Sequence, residues 1–114
     1  MISRSRFAPS PTGLLHIGNA RSAVLNWAYI KNKGGEFILR IDDTDKERSQ
    51  KEYENKIKDD LTWLGITWHK TFNQSERLEI YNKRIQELKY MKRIYPCFET
   101  LEELSLKKKS LLTS

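Results

Sequence analysis

A chain of 114 residues is enough for one small domain. Hydrophobic residues make up 38% and charged residues 32%, and five Tyr, four Phe and three Trp supply bulky core material, which excludes a disordered chain. The formal net charge of +6 favours a polyanionic partner, because Lys and Arg gain by displacing counterions from phosphates.

The excess is uneven: residues 42–60 are acid-rich, whereas residues 83–93 and 107–109 are basic. Cys97 is the single cysteine, so no intrachain disulfide can form, which suits a reducing cytosol. The first six residues carry no hydrophobic run of the kind a signal peptide needs. No apolar stretch approaches the roughly 20 residues that span a membrane. A cytoplasmic protein with no membrane partner is the expectation.

In chain order, Arg6-Phe-Ala8 reads as a short strand that stops at Pro9, which lacks a ladder donor. Residues 9–13 form a turn-rich loop. From about His16 to Lys33 the apolar residues Ile17, Ala20, Val24, Trp27 and Ala28 recur at helical spacing, and Gly34-Gly35 closes the helix. Trp27 reads as packing. Residues 36–41 read as a β-rich strand, followed by the polar loop Asp42-Asp-Thr-Asp45. Ser49 and Glu52 have capping-box spacing and open a helix with Tyr53, Ile57, Leu61 and Leu64 on its buried face, ending at Gly65. A further helix follows Gln74-Ser-Glu76, with Leu78, Tyr81, Ile85 and Leu88 in register. Residues 95–98 read as a brief extended piece. Thr100 and Glu103 form a second capping box before a last, basic helix.

The order strand, helix, strand, helix implies an α/β fold that starts as a parallel βαβ unit, with ligands beyond the carboxyl ends of the strands. Both loops fall on that rim. A helix beginning near His16 offers free N–H groups and partial positive charge, which suit phosphate. Gly18 lets a nucleotide lie against the backbone, and His16 can donate to a phosphate oxygen as charge develops. On these residues alone, a plain helix start with a surface histidine is the favoured reading.

Arg6-Phe-Ala-Pro-Ser-Pro-Thr-Gly13 followed by His16-Ile-Gly-Asn19 resembles the first signature of class I aminoacyl-tRNA synthetases, in the form carried by bacterial-type glutamyl-tRNA synthetases. Asn19 departs from the fuller His-Ile-Gly-His pattern. The resemblance continues through residues 34–49, Trp63-Leu-Gly-Ile-Thr-Trp68, Gln74-Ser-Glu-Arg77 and Tyr95-Pro-Cys-Phe98, and so covers nearly the whole chain in order. It implies the first half of a Rossmann-like catalytic domain over residues 1–92. Residues 93–114 would begin an inserted domain that handles the acceptor end.

The implied reaction has two steps. The glutamate α-carboxylate attacks the α-phosphorus of ATP to give glutamyl-adenylate and pyrophosphate. The terminal adenosine of tRNA(Glu) then takes the glutamyl group. Neither step needs a protein nucleophile, so orientation and charge stabilisation are the protein's work. Mg²⁺ would accompany ATP, held mainly by phosphate oxygens and water.

By resemblance, glutamate binding maps onto Arg6, Ala8, Ser10 and Asp42. Arg6 suits the side-chain carboxylate, since a guanidinium pairs with it bidentately. Ser10 and Asp42 would receive the ammonium group, although many family members carry Glu at the second position. Ser10, Thr12, His16, Gly18 and Asn19 would face ATP, with His16 and Gly18 in the catalytic role. Arg48 and Lys107, Lys108 and Lys109 are weaker candidates for tRNA contact; a solvated basic face explains the lysines equally well. Some relatives bind zinc through a Cys-x-Cys pair where this chain reads Cys97-Phe-Glu99. With one cysteine the ligand set is too small, and no zinc or other protein-held metal is expected.

The family's second signature, a Lys-Met-Ser-Lys-Ser-like loop, does not occur in these residues. The 114 residues are therefore expected to be part of a longer enzyme and to be inactive in isolation. Other readings are a noncatalytic ATP- or tRNA-binding module or truncated product, a glutaminyl-tRNA synthetase, and a tRNA(Asp) glutamyl-queuosine synthetase.

Overall fold

A computed structural model of the chain describes residues 1–113. Its elements are β1 (Arg4–Phe7), α1 (Ile17–Asn32), β2 (Glu36–Ile41), α2 (Lys51–Trp63), β3 (Lys70–Asn73), a 3₁₀ turn over Gln74–Arg77, α3 (Leu78–Tyr90) and α4 (Leu101–Thr113). The three strands form one parallel sheet in the order β1-β2-β3, with Arg6 opposite Ile38 and Arg40 opposite Phe72. This is the α/β, Rossmann-like arrangement that the order of elements implied. Strand β3 has no counterpart in the sequence reading: Lys70-Thr-Phe-Asn73 carries one large apolar residue and no alternation to betray it.

The centre of the sheet follows from side-chain alternation. Phe37, Leu39 and Ile41 of β2 are fully buried, while Glu36, Ile38 and Arg40 between them are half-buried. The buried set joins Phe7, Ala23, Ile30, Ile57, Leu61 and Ile66 in one core, with Leu15, Trp27 and Trp68 packed at its margin. Trp27 is thus packing, and the Lys31 ammonium lies 4.5 Å from its ring centroid.

The buried face of α1 differs from the expected one. Ala23 and Ile30 are buried, Ala20 and Trp27 half-buried, and Ile17, Val24 and Ala28 exposed. The helix meets the sheet along a narrow strip centred on Ala23, whose small side chain permits close approach, so only part of the apolar stripe is covered. On α2, Ile57 and Leu61 are buried as expected, but Tyr53 is half-buried and Leu64 exposed. Leu64 is the C-cap of that helix and lies beyond the packed strip.

Helices α1 and α2 stop at glycines, as expected. Gly34 and Gly65 adopt φ of 64° and 78°, and in each case the next N–H reaches five residues back, Gly35 to Ile30 O at 3.0 Å and Ile66 to Leu61 O at 2.9 Å. Gly35 is fixed by space: a Cβ there would lie 2.3 Å from Ser3 O. Helix α3 ends in the same pattern around Lys92, at φ 56°, with Arg93 N–H donating to Leu88 O at 2.9 Å.

Only one of the two capping boxes forms. Glu103 N–H donates to Thr100 Oγ1 at 3.2 Å, and Thr100 N–H to Glu103 Oε2 at 2.7 Å. Ser49 does not cap α2: the cap position is Gln50, and the Ser49 hydroxyl is buried with no partner. Gln50 N–H already donates to Pro11 O at 3.0 Å, which draws the chain into the sheet-side loop and moves the helix start one residue on.

By packing, the chain divides into Met1–Leu78 and a second unit from Glu79 onward. Among the described residues, all the buried ones belong to the first. In the second, Tyr81 and Glu87 are half-buried and the other described residues are exposed; residues 95–98 have no regular structure. The boundary expected between residues 92 and 93 falls in the loop between α3 and α4. Among the described residues no helix is long and apolar enough to cross a membrane.

Candidate active site

The site residues come together because β1 and β2 run in parallel with fixed register. Side chains two apart share a face, so Arg6 and Ala8 stand on the same face as Ile38, Arg40 and Asp42, opposite the buried Phe7, Leu39 and Ile41. The pairing continues past the strand ends, where Asp42 N–H donates to Pro9 O at 2.9 Å. Asp42 thus lies four residues, roughly 13 Å, beyond the position opposite Arg6. Arg6, Ser10 and Thr12 are exposed, and Ala8 and Asp42 are half-buried. Buried Pro9 and Pro11 anchor the loop between them, with Pro11 O held by Gln50.

His16 is the N-cap of α1. Its backbone is extended, and its Nδ1 accepts from Gly18 N–H at 3.1 Å. When the imidazole is neutral, this assigns its proton to Nε2, which makes His16 a donor on its far side. The Gly18 N–H is consumed by the cap, while Ile17 and Asn19, in the first helical turn, have no carbonyl one turn back within the helix. Gly18 matters here for a reason the sequence did not suggest: a Cβ would stand 3.0 Å from the His16 ring, so the glycine makes room for the cap. Asn19 is half-buried on the same turn.

Asp42 is tightly held. Arg40 Nε donates to its Oδ1 at 2.6 Å and Arg40 Nη2 to its Oδ2 at 2.9 Å, while Gln74 Nε2 donates to Oδ1 at 3.1 Å. The neighbouring Asp43 faces the 3₁₀ turn, accepting from Ser75 N–H at 2.9 Å, Ser75 Oγ at 2.6 Å and Asn73 Nδ2 at 3.0 Å. Partial burial pushes its carboxyl up, but the Ser75 and Asn73 donors outweigh this and hold it below the ordinary range. Asn73 also donates to Glu54 Oε2 at 3.1 Å, and the Glu54 Oε1 accepts from Lys58 at 2.7 Å and Lys51 at 2.9 Å. Burial again raises this carboxyl, and Lys58, Lys51 and Asn73 more than reverse the effect. The acidic loop, β3 and the start of α2 are thereby tied together around a cleft of about 340 Å³.

Arg40 and Gln74 had not been singled out from sequence. The signal for Arg40 was available, since two-residue alternation places it on the face of Arg6. Gln74 gave no signal beyond its place in a family landmark, because its contact spans 32 residues.

The weaker candidates stand apart from this face. Arg48 is exposed and engaged by Asp45, with Nε to Oδ2 at 2.6 Å. Lys107 pairs with Glu99, while Lys108 and Lys109 are exposed on α4. Cys97 is exposed and its thiol donates to Glu99 Oε2 at 2.8 Å.

Residues 3–113 match the sequence profile of the tRNA synthetases class I (E and Q), catalytic domain, and the chain belongs to that family. Among curated relatives, glutamate–tRNA ligase 2 of Cereibacter sphaeroides is 53% identical over 98% of this chain and 25% of its own length. Glutamate–tRNA ligase 2 of Rickettsia canadensis is 56% identical over 96% of this chain and 24% of its own. A solved glutamate–tRNA ligase from Elizabethkingia meningosepticum, in complex with its amino acid, superposes with a TM-score of 0.78 at 37% identity, over 94% of this chain and 23% of the other. The synthetase from Elizabethkingia anophelis gives 0.82 at 36% identity, over 96% of this chain and 24% of the other. The chain spans about a quarter of the length of the relatives it matches.

Proposed function

We propose that these residues form the amino-acid- and ATP-positioning part of a glutamate–tRNA ligase, which activates glutamate with ATP and transfers it to tRNA(Glu). In this reading residues 1–92 are the first half of the catalytic domain and residues 93–114 begin an acceptor-end insertion. The observation that carries the reading is the shared face of Arg6, Ala8 and Asp42, which ends at the rim beside the His16-capped helix.

Arg6 carries an exposed charge suited to the substrate's side-chain carboxylate, and Ser10 and Asp42 receive its ammonium group. A cation at that place suits glutamate better than glutamine, which disfavours the glutaminyl alternative. Thr12, His16, Gly18 and Asn19 face ATP. The residues fit a triphosphate in one specific respect: the Ile17 and Asn19 N–H groups and the His16 Nε2–H are donors at the positive end of α1. Mg²⁺ would neutralise phosphate charge and is held mainly by the nucleotide. The lone thiol suits a reducing cytoplasm. Lys108 and Lys109 are available for acceptor-stem phosphates, and Arg48 and Lys107 would first exchange their carboxylate partners.

Separate titrations of the 114-residue chain with L-glutamate and with ATP, followed by amide chemical shifts, test this. Arg6→Ala should weaken glutamate binding by tenfold or more (~1.4 kcal/mol) and leave ATP binding unchanged. Glutamate shifts that avoid residues 6–10 and 42, or an Arg6→Ala chain that binds glutamate normally, would sink the assignment.

A further inference from the structure

We infer that Arg40 is a specificity-determining residue of the amino-acid site, where it aims the Asp42 carboxylate at the substrate ammonium and sets the charge balance that favours glutamate over glutamine. The inference rests on the reading of Arg6 and Asp42 given above.

The aiming follows from counting acceptor positions. A carboxylate offers about four lone-pair positions, two on each oxygen. On Asp42, Oδ1 receives Arg40 Nε at 2.6 Å and Gln74 Nε2 at 3.1 Å, which fills it. Oδ2 receives Arg40 Nη2 at 2.9 Å and keeps one position open. The Asp42 side chain is 25% exposed, so it is open to approach by a small ligand. A primary ammonium is a compact donor able to take it. The planar fork of Arg40 fixes the rotation of the carboxylate, and Gln74 closes the oxygen that would otherwise compete. Lys in place of Arg40 would supply a charge without the fork.

The charge balance is independent of the aiming. Arg40 cancels the charge of Asp42, so the cation of Arg6 on the same face is not offset by a bare carboxylate. L-Glutamate carries a net charge of −1 at neutral pH, and L-glutamine carries none. Removing the positive charge of Arg40 makes the site one unit more negative, which penalises glutamate and leaves the neutral amide almost untouched. At a separation of about 6 Å, with solvent raising the effective dielectric constant to about 40–55 at this half-buried place, that is worth about five- to tenfold in relative affinity.

The test measures affinities of the full 114-residue chain for L-glutamate and L-glutamine by amide shift titration, in the parent and in the R40Q, R40K and Q74A variants. R40Q should lower the glutamate-to-glutamine affinity ratio by about five- to tenfold. R40K should weaken both ligands while keeping the ratio, because it retains charge and loses the fork. Q74A should weaken both modestly at an unchanged ratio. A ratio in R40Q equal to that of the parent overturns the inference, as does an R40K variant that loses the ratio as fully as R40Q. Should R40Q fail to fold, R40K and Q74A still decide the aiming, which is overturned if both bind as the parent does. A parent chain that responds to neither amino acid overturns the glutamate-site reading itself, and this inference with it.

Discussion

The unit over Met1–Leu78 and the stretch from Glu79 onward are made of similar helical material with different outcomes. Ile57 and Leu61 of α2 stand four residues apart, and Leu78, Tyr81, Ile85 and Leu88 of α3 follow one another at intervals of three or four. Yet Ile57 and Leu61 are 1% and 0% exposed, whereas Ile85 and Leu88 are 40% and 39% exposed. The difference is the sheet. Phe37, Leu39 and Ile41 present a continuous apolar surface that covers whole side chains of α1 and α2, and the second unit contains no strand among its described residues. An apolar stripe therefore predicts a helix, while burial of that stripe depends on a second layer.

The largest expected break of this comparison is a pair of truncations. Leu39→Ala removes a fully buried side chain from the centre of β2 and should destabilise the first unit by about 3 kcal/mol. Leu88→Ala, at a 39% exposed position, should cost less than about 1 kcal/mol. Urea unfolding followed by far-UV circular dichroism measures both. Equal costs would mean that the second unit holds a core comparable to that of the first.

What could be read from sequence divides along the same line. Strand β2 was legible to the residue, because a glycine pair precedes it, a polar loop follows it and its residues are β-formers. Helix positions were legible from periodicity, but their buried faces were not. Which strip of α1 is covered depends on how closely it approaches the sheet, a tertiary fact decided at Ala23. Strand β3 was invisible because Lys70-Thr-Phe-Asn73 carries one large apolar residue and, unlike β1, is not closed by a proline. Of the candidate site, Arg6, Ala8 and Asp42 were named from motif resemblance, and parallel register supplies the reason they share a face. The contacts of Arg40 and Gln74 with Asp42 needed the fold, since they join the end of β2 to a turn 32 residues away in the chain.

The next effect lies in the charged cluster around the buried Glu54 of the first unit. Glu54 is 4% exposed and accepts from Lys51, Lys58 and Asn73. Glu54→Gln removes the negative charge between two lysines that remain partly solvated, and should cost about 2 kcal/mol at neutral pH. The carboxyls of Glu54 and Asp43 both titrate below their ordinary values of 4.5 and 3.8 in the folded state. Their stabilisation is therefore complete above about pH 4.5 and is lost as pH falls through the lower folded values. Urea midpoints measured at decreasing pH should decline for the parent, and Glu54→Gln should flatten the part of that decline due to Glu54. A parent midpoint that stays level below pH 4 would show that these carboxylates add nothing to the fold.

The smallest effect contrasts the two capping boxes, one in each unit, and its diagnostic is sign. Thr100 receives the Glu103 N–H at 3.2 Å, so Thr100→Ala should cost about 1 kcal/mol of local stability in α4. Ser49 has the same sequence spacing, but its hydroxyl is buried without a partner and Gln50 occupies the cap. Replacing it by Ala removes an unsatisfied polar group and should leave the first unit as stable or raise its stability by up to about 1 kcal/mol. Amide hydrogen exchange in α4 reads the first substitution and the global urea midpoint reads the second. A loss of about 1 kcal/mol in Ser49→Ala would mean that the hydroxyl caps α2 in solution. That would return the helix start to Ser49 and loosen the Pro11–Gln50 tie that anchors the loop leading to His16.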